Sequence, residues 1–305
     1  MKNKKPQFSA ATDSHVLMFG GKGGVGKTTC AGATALHYAS QGDSTLIIST
    51  DPAPSLSHIF ENQSKEKPAK VMQNLYLSEL GVEEVKGMWD RKFGREVYEV
   101  FSSFVSIGYE EFVDYFSAMM PGIRDEFMVD YIKTIMDDGK YEQVVWDTAP
   151  LGQTMGLLHT PTMLREHLKP APRIFSRLKI TGGSKKSVLN IIKGWEELSL
   201  SDIDFLKARV KFIIVTIPEA LAVQQLANLF SEFAMHGFRI ERLIINNVVE
   251  SSDSAFLRIK REQQQSYIEE LHNRYQNLEM VEIPLFPQEI KGVERLREVE
   301  RRLFG

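Results

Sequence analysis

HVLMFGGKGGVGKTTCAGATAL, residues 15–36, carries the strongest structural signal in the sequence. An apolar run leads into a glycine-rich loop, and a row of small residues typical of a tightly packed helix follows. Within this segment, 21-GKGGVGKT-28 matches the pattern G-x-x-x-x-G-K-[ST]. Because a strand is predicted before the loop and a helix after it, the segment predicts a phosphate-binding loop rather than an ordinary glycine turn.

The chemistry of such a loop assigns a role to most of its residues. Glycines let successive backbone N–H groups point at phosphate oxygens, and the helix N-terminus that follows favours negative charge. Lys27 is predicted to reach the β- and γ-phosphates, and the Thr28 hydroxyl to ligate Mg²⁺. The predicted nucleotide-binding residues here are Gly21, Lys22, Gly23, Gly24, Val25, Gly26, Lys27, Thr28 and Thr29.

Composition excludes several classes of protein. The 305 residues are 43% hydrophobic and carry a formal net charge of −3, so no basic excess indicates a nucleic-acid partner. The single cysteine, Cys30, rules out a disulfide within the chain and a multi-cysteine metal site within one subunit. No signal peptide is predicted, and no apolar run approaches the ~18 residues of a membrane span. We therefore expect a cytoplasmic protein.

The order of secondary structure predicts an α/β fold. Continuous apolar runs are typical of strands buried on both faces, and here they alternate with helical patterns, which indicates a doubly wound, mostly parallel sheet of the P-loop type. Two segments, 82–139 and 154–206, have mostly helical patterns and are predicted to be insertions that form a helical subdomain within one domain spanning 1–305. The polar segment 61–70 is expected to be a loop. The predicted strands are 15–20, 44–51, 143–150, 211–219, 242–248 and 280–285.

Two aspartates end predicted strands at the carboxyl edge of this sheet. Asp51, in 50-TDPAPSLSHIF-60, is predicted to be catalytic, by orienting the attacking water or accepting its proton, and to lie at the metal. Asp147, in 147-DTAPLGQT-154, occupies the position from which a carboxylate binds Mg²⁺ directly or through water. The alternative for each residue is a turn or helix-capping aspartate.

The second lysine of the loop, Lys22, gives the motif a narrower identity. The form K-G-G-V-G-K-T is similar to the loop of the SIMIBI class of ATPases. The resemblance implies a dimer in which Lys22 reaches the partner's nucleotide and supplies charge there, as an arginine finger does. On this interpretation Lys22 joins Asp51 and Lys27 as a catalytic residue; the alternative is a solvated loop lysine.

Together these motifs resemble the ArsA/GET-pathway ATPases, and the resemblance covers nearly the whole chain. Residues 51–60 are similar to the family's switch I and 147–154 to its switch II. Further similar segments are 119-MMPGIRDE-126, 218-PEALAVQQ-225 and 284-PLFPQEIKGVERL-296, the last in the adenine-loop region. The resemblance implies that Asn246 reads the adenine edge, that Gln225 contacts the nucleotide, and that Pro284 belongs to the adenine site. The alternative for Asn246 is a strand-end turn asparagine.

The resemblance also implies a function. It indicates a homodimeric ATPase using ATP and Mg²⁺, whose helical regions form a groove for the transmembrane segment of tail-anchored client proteins and which works with a membrane receptor. The alternatives are the catalytic subunit of an arsenite or anion extrusion system, and a chaperone that uses ATP as a clamp. The apolar residues of the insertions fit either a client groove or helix packing. They are Phe93, Val97, Val100, Phe101, Phe104, Phe112, Phe116, Met119, Met120, Val188, Ile191, Trp195 and Leu198.

Three departures from the family pattern narrow these expectations. Cys30 alone does not supply the several cysteines through which arsenite-pump members bind metalloid, so stimulation by that mechanism is not expected. Ser254 and Leu257 stand where the eukaryotic targeting factors have a zinc-binding cysteine pair, so no zinc is expected. The chain corresponds to one half of the fused pump ATPase, which is a further reason to expect a homodimer.

Overall fold

The computed structural model of the protein describes residues 15–50, 55–64, 66–102, 106–113, 121–148, 162, 166, 185–251 and 253–305. Asp51, residues 149–154 of the predicted switch II and most of the predicted insertion 154–206 lie outside these ranges. The chain divides into two compact units, one composed of 1–80, 138–151 and 209–305 and the other of 81–137 and 152–208.

The first unit is built on an eight-stranded sheet with the order β3-β4-β2-β5-β1-β6-β7-β8. Every neighbouring pair is parallel except β3 and β4. The mostly parallel α/β fold predicted from the sequence is therefore confirmed. The strands are β1 (His15–Gly21), β2 (Thr45–Ser49), β3 (Ala69–Met72), β4 (Leu75–Glu79), β5 (Gln143–Asp147), β6 (Val210–Thr216), β7 (Ile240–Val248) and β8 (Glu279–Pro284).

Helices connect these strands and form the second unit. Those of the first unit are α1 (Lys27–Gln41), α2 (Leu56–Ile59), α7 (Ala220–His236), α8 (Ala255–Arg274) and α9 (Gly292–Phe304). The second unit contains α3 (Val82–Trp89), a π-helical turn (Asp90–Gly94), α4 (Arg95–Ser102), α5 (Pro121–Asp137) and α6 (Lys185–Ala208). None of the described helices combines the length and the apolar character needed to cross a bilayer.

The centre of the sheet explains why the phosphate loop is well defined. β1 lies between β5 and β6, and Val16 to Phe19 are almost completely inaccessible to solvent. α1 buries its small residues beneath this sheet, including Ala31, Ala33 and Ala35. Because a strand and a helix with such tight packing have little freedom, the loop that joins them is held at both ends.

The segment before α3 differs from its prediction. Only part of 61–70 is a loop, since β3 begins at Ala69 and pairs antiparallel with β4 across the turn at Gln73 and Asn74. Asn74 has a left-handed backbone with φ 64°, a conformation that asparagine tolerates better than most residues. The two strands have four and five residues, too few for a clear apolar pattern, and the sequence analysis did not predict them.

In the second unit, several described apolar residues of the first insertion are buried. Val97 and Val100 are about nine-tenths buried and Phe112 is completely buried. Phe93 makes an edge-to-face contact with Phe127 of α5, with ring centroids 6.3 Å apart. For these residues the contacts favour helix packing over an exposed client surface. Phe104, Phe116, Met119 and Met120 lie outside the described residues.

A buried charged cluster links three elements of the second unit. Lys133 Nζ of α5 lies 2.7 Å from Asp202 Oδ1 of α6, and Asp202 is completely buried. Lys92 of the π-helical turn pairs with the buried carboxylate of Asp130. Asp202 Oδ2 has no hydrogen-bond partner among the described residues. Burial raises the pKa of Asp202 to about 6, and the Asp130 charge adds to this against the opposing effect of Lys133.

This raised pKa predicts an unusual pH dependence of stability. The unfolded chain titrates Asp202 near its ordinary value of 3.8, so between that pH and about 6 the folded chain binds the extra proton. The free energy of unfolding contributed by Asp202 should therefore fall as pH rises through this window, by about 3 kcal/mol. The measurement is urea unfolding of wild type and of Asp202→Asn at pH 4 and at pH 6.5. The difference in free energy of unfolding between the two proteins should change between these pH values.

The matched control is Asp204→Asn, which changes an exposed carboxylate on the same helix. Its stability difference from wild type should be the same at both pH values. A constant difference for Asp202→Asn as well would contradict the prediction.

Candidate functional site

The phosphate loop has the backbone shape that its glycines predict. Gly24 and Gly26 have φ of 78° and 95°, in the left-handed region that favours glycine. Gly26 is the N-cap of α1 and offers no side chain to cap the helix, so the first backbone N–H groups of α1 are suited to an anion. Lys27 is the first residue of α1, and its Nζ donates to Lys22 O over 3.2 Å.

A close contact joins this loop to the end of β7. Asn246 Nδ2 donates to Val25 O over 2.9 Å, and Asn246 is largely buried. A Cβ on Gly26 would lie only 2.2 Å from this amide nitrogen. Gly26 is therefore required both by its backbone angle and by the approach of Asn246. The hydrogen bond to Val25 uses one amide hydrogen and leaves the other and Oδ1 for a base, so the predicted adenine contact is chemically compatible with the structure.

Two of the three predicted metal residues lie side by side. Thr28 Oγ1, in the first turn of α1, donates to Asp147 Oδ2 at the end of β5 over 2.8 Å. Asp147 is completely buried. A hydroxyl and a carboxylate are oxygen donors of the kind Mg²⁺ prefers, so the described residues fit the predicted metal. Asp51, the third predicted metal residue, lies outside the described residues.

The residue before Asp51 is held next to Asp147. The Thr50 N–H donates to Asp147 O, and Thr50 Oγ1 accepts from Trp146 Nε1, each over 3.3 Å. On the other side, Thr148 Oγ1 donates to Phe19 O of β1 over 2.7 Å. These bonds fix the carboxyl ends of three neighbouring strands, the edge at which ligands bind in open α/β sheets.

A cavity of about 460 Å³ extends from the phosphate loop. That volume lies in the range of small-molecule sites. Its lining joins predicted residues from distant parts of the sequence, and among the described residues it does not include Gln225 or Pro284. The lining residues are Gly24, Gly26, Thr28, Thr29, Ser55, His58, Ile59, Asn246, Asn247, Ile283, Leu285, Phe286, Gln288, Glu289, Ile290 and Val299.

The far wall of the cavity is the segment between β8 and α9. Leu285, Phe286 and Ile290 give it an apolar surface suited to the face of a base. Glu289 Oε1 lies 3.6 Å from Nε2 of His58 in α2, and Lys291 Nζ lies 3.8 Å from Glu61 Oε1. Because these four side chains are exposed, the pairs contribute little stability. They nevertheless put the segment that follows Asp51 beside the wall of the cavity.

Four other predicted residues have settings of different kinds. Lys22 and Gly23 are exposed on the loop. Gln225 is exposed on α7. Pro284 is the last residue of β8, pairs with Val248, and stands between two cavity-lining residues, Ile283 and Leu285. Their roles remain predictions.

The surroundings of the single cysteine disfavour the thiolate form of its side chain. Cys30 is completely buried, and burial, together with the charge of Asp147, raises the pKa of its thiol to about 12. A thiol with such a pKa is a poor source of the thiolate that binds soft metals and metalloids.

At the positions compared with the zinc-binding pair, Ser254 caps a helix. Its Oγ accepts a hydrogen bond from the Leu257 N–H over 3.2 Å at the start of α8. The spacing therefore forms a local cap of the kind serine favours at this position.

Sequence reasoning missed several residues of the site. Thr50 precedes the predicted switch I, Ser55 lies within it, and Asn247 follows the predicted adenine residue. The only available signal was their position in or next to a motif. Gln264 of α8, which bonds to the backbone of Asn247 over 2.9 Å, carried no signal, because nothing in its helical pattern marks it out.

The sequence is similar to those of known ATPases. The family model of anion-transporting (ArsA) ATPases matches residues 14–305. A putative arsenical pump-driving ATPase 2 of Aquifex aeolicus is 31% identical over 297 residues, which cover 94% of this chain and 98% of that protein. ATPase GET3C of Arabidopsis thaliana is 29% identical over 321 residues, covering 92% of this chain and 80% of that protein. A putative arsenical pump-driving ATPase of Prosthecochloris vibrioformis is 27% identical, with 95% and 75% covered.

Proposed function

We propose that this chain, which belongs to the family of anion-transporting (ArsA) ATPases and hydrolyses ATP, acts as a Mg²⁺-dependent homodimer. In this proposal the homodimer binds the transmembrane segment of tail-anchored proteins and delivers it to the membrane. The observation that carries the nucleotide part of this proposal is the cavity that joins the phosphate loop to Asn246 and to the apolar wall after β8. Triphosphate and base would occupy its two ends.

Residues of this chain supply the proposed chemistry. Lys27 and the first N–H groups of α1 bind the phosphates, and Thr28 with Asp147 hold Mg²⁺, which when bound neutralises phosphate charge. Asp51 orients the attacking water or accepts its proton. It follows directly on Thr50, whose N–H donates to Asp147 O, and this neighbour supports a place for Asp51 at the γ-phosphate end.

The exposure of Lys22 supports the proposed homodimer. It is exposed on the phosphate loop, whereas Lys27 of the same loop is largely buried. A lysine directed to solvent next to the phosphates is available to a second copy of the chain, where it would supply charge to the partner's nucleotide as it is cleaved. The cytoplasm is the proposed compartment.

The client part of the proposal is supported by the family resemblance and by the existence of a separate helical unit, 81–137 and 152–208. ATP binding would close the dimer and assemble an apolar groove from helical segments, and hydrolysis would open it. Since the described residues Val97, Val100 and Phe112 are buried, we assign the groove to other residues of the helical segments. Delivery would require a receptor at the membrane.

A second candidate is the catalytic subunit of an anion extrusion system. The observation in its favour is that relatives at 31% and 27% identity are named as putative arsenical pump-driving ATPases. The buried Cys30 weighs against a metalloid site built on cysteine. An ATP-clamped chaperone without delivery is the third candidate.

Client capture tests the proposal. We expect the Asp51→Asn variant, which should bind ATP without hydrolysing it, to co-purify with a tail-anchored test protein when ATP and Mg²⁺ are present. The same test protein without its terminal apolar helix should not co-purify. The ATP-dependent difference between the two test proteins is the measurement.

The paired control is Asp138→Asn, which changes an exposed turn carboxylate and should release the client as the wild type does. Equal capture of both test proteins, or capture independent of ATP, would contradict targeting. Stimulation of wild-type hydrolysis by arsenite would favour the extrusion candidate instead.

A further inference from the structure

The end of β7 has an irregular backbone where it meets the cavity. Side chains of consecutive residues in a regular strand point to opposite faces, yet Asn246 and Asn247 both line this cavity. Asn247 has a left-handed backbone with φ 58°, and the pairing of β7 with β8 shifts register between Ile245 and Val248. The left-handed residue therefore brings two neighbouring asparagines to one cavity.

A buried glutamine holds this irregular turn. Gln264 of α8 is 4% exposed, and its Nε2 donates to Asn247 O over 2.9 Å. Its Oε1 accepts from the Val249 N–H over 2.8 Å. The two bonds flank Val248, whose own carbonyl accepts from the Leu285 N–H over 2.8 Å. The side-chain amide thus bonds two backbone groups at the point where the register shift interrupts the regular pairing with β8.

We propose that Gln264 is a positioning residue, which holds the Asn246–Asn247 turn in the conformation that directs both amides at the base of bound ATP. This inference rests on the proposed function, because it requires the base to lie at this end of the cavity. Gln264 does not line the nucleotide cavity. It lines a neighbouring cavity of about 180 Å³ with Val248 and Val249, so it acts through the turn and not by touching the nucleotide.

The amide is the functional group that matches this position. One donor and one acceptor on the same planar group meet one backbone carbonyl and one backbone N–H. Glutamate has the same shape but would place an oxygen against Asn247 O, so two acceptors would face each other in a buried place. Methionine would fill the space without either bond.

The test compares two ligands that share a phosphate site but differ in having a base. Binding of Mg²⁺-ATP and of inorganic tripolyphosphate is measured by calorimetry on wild type, Gln264→Glu and Gln264→Met. We expect both variants to bind ATP about tenfold more weakly, since a buried backbone pairing is lost, and to bind tripolyphosphate as the wild type does. In steady-state hydrolysis the KM for ATP should rise by a similar factor with kcat unchanged.

Gln265→Ala is the matched control, because Gln265 is the next residue of the same helix and is exposed, with its side chain bonded to Glu269 over 3.0 Å. It should bind both ligands normally. Unchanged ATP affinity in both Gln264 variants would overturn the inference, and so would an equal loss for ATP and tripolyphosphate, which indicates a general structural role. If wild type itself bound ATP no better than tripolyphosphate, the placement of the base in this cavity would fail, and this inference with it.

Discussion

Replacing Asp51 with asparagine is expected to lower ATP hydrolysis by about 10²–10⁴-fold, the range attributed to a general base, while ATP binding remains. The amide has the size of the carboxylate but does not accept the proton of the attacking water. The phosphate-binding groups, Lys27 and the start of α1, are unchanged in this variant. Phosphate release under saturating ATP measures the first quantity, and equilibrium binding of a fluorescent ATP analogue measures the second.

Two comparisons make this result specific to Asp51. Asp138→Asn removes an exposed carboxylate from a turn and should hydrolyse ATP at the wild-type rate. Asp51→Glu keeps the charge on a longer side chain and should retain more activity than Asp51→Asn. Normal turnover by Asp51→Asn would remove Asp51 from the catalytic assignment and leave the water to another residue.

Replacing Asp147 with asparagine should lower Mg²⁺-dependent hydrolysis at least about 100-fold. Asparagine can still accept the hydrogen bond from Thr28 Oγ1, which in the native chain spans 2.8 Å, but it lacks the charge that attracts the metal. Affinity for ATP in the presence of a chelator should be unchanged. The distinguishing measurement is the titration of hydrolysis with Mg²⁺, whose midpoint should move to higher concentration.

Thr28 provides the companion variants for Asp147. Thr28→Ser keeps the hydroxyl and should titrate with Mg²⁺ as the wild type does, whereas Thr28→Ala should move the midpoint in the same direction as Asp147→Asn. Because Asp147 is completely buried, its thermal unfolding must be compared as well. An unchanged Mg²⁺ midpoint in a folded Asp147→Asn protein would refute its role at the metal.

The elements that sequence analysis predicted well have strong local signals. β1 and α1 are marked by a continuous apolar run, a glycine loop and small helical residues, and the structure has both with the loop between them. The β3–β4 hairpin was missed because its strands are short and its turn uses Asn74 in a left-handed conformation, without the Asn-Gly or Asp-Gly pair that is the strongest short-range signal of a hairpin. Local pattern strength therefore decided what was predictable.

The residues of the site also divide into those with a strong sequence signal and those without one. The phosphate-loop residues were recognisable because the glycine spacing is dictated by the shape of a phosphate group. Thr28 and Asp147 were both predicted to bind the metal, Thr28 from the phosphate-loop motif and Asp147 from its place at the end of a predicted strand, but the hydrogen bond between them was not predicted. The support of Asn247 by Gln264 was not predictable, because a buried glutamine on an otherwise polar helix has no distinguishing pattern.

The contact between Gly26 and Asn246 also has an evolutionary consequence. Asn246 bonds to Val25 across 221 positions of sequence, and the space beside it exists only because Gly26 lacks a side chain. A lineage that replaced Asn246 with a smaller residue would no longer need glycine for space there, and one that placed a larger residue at 246 would be selected against unless the loop moved. Because the backbone angle of Gly26 still requires glycine, substitutions among relatives should fall at position 246 and should introduce side chains no larger than asparagine.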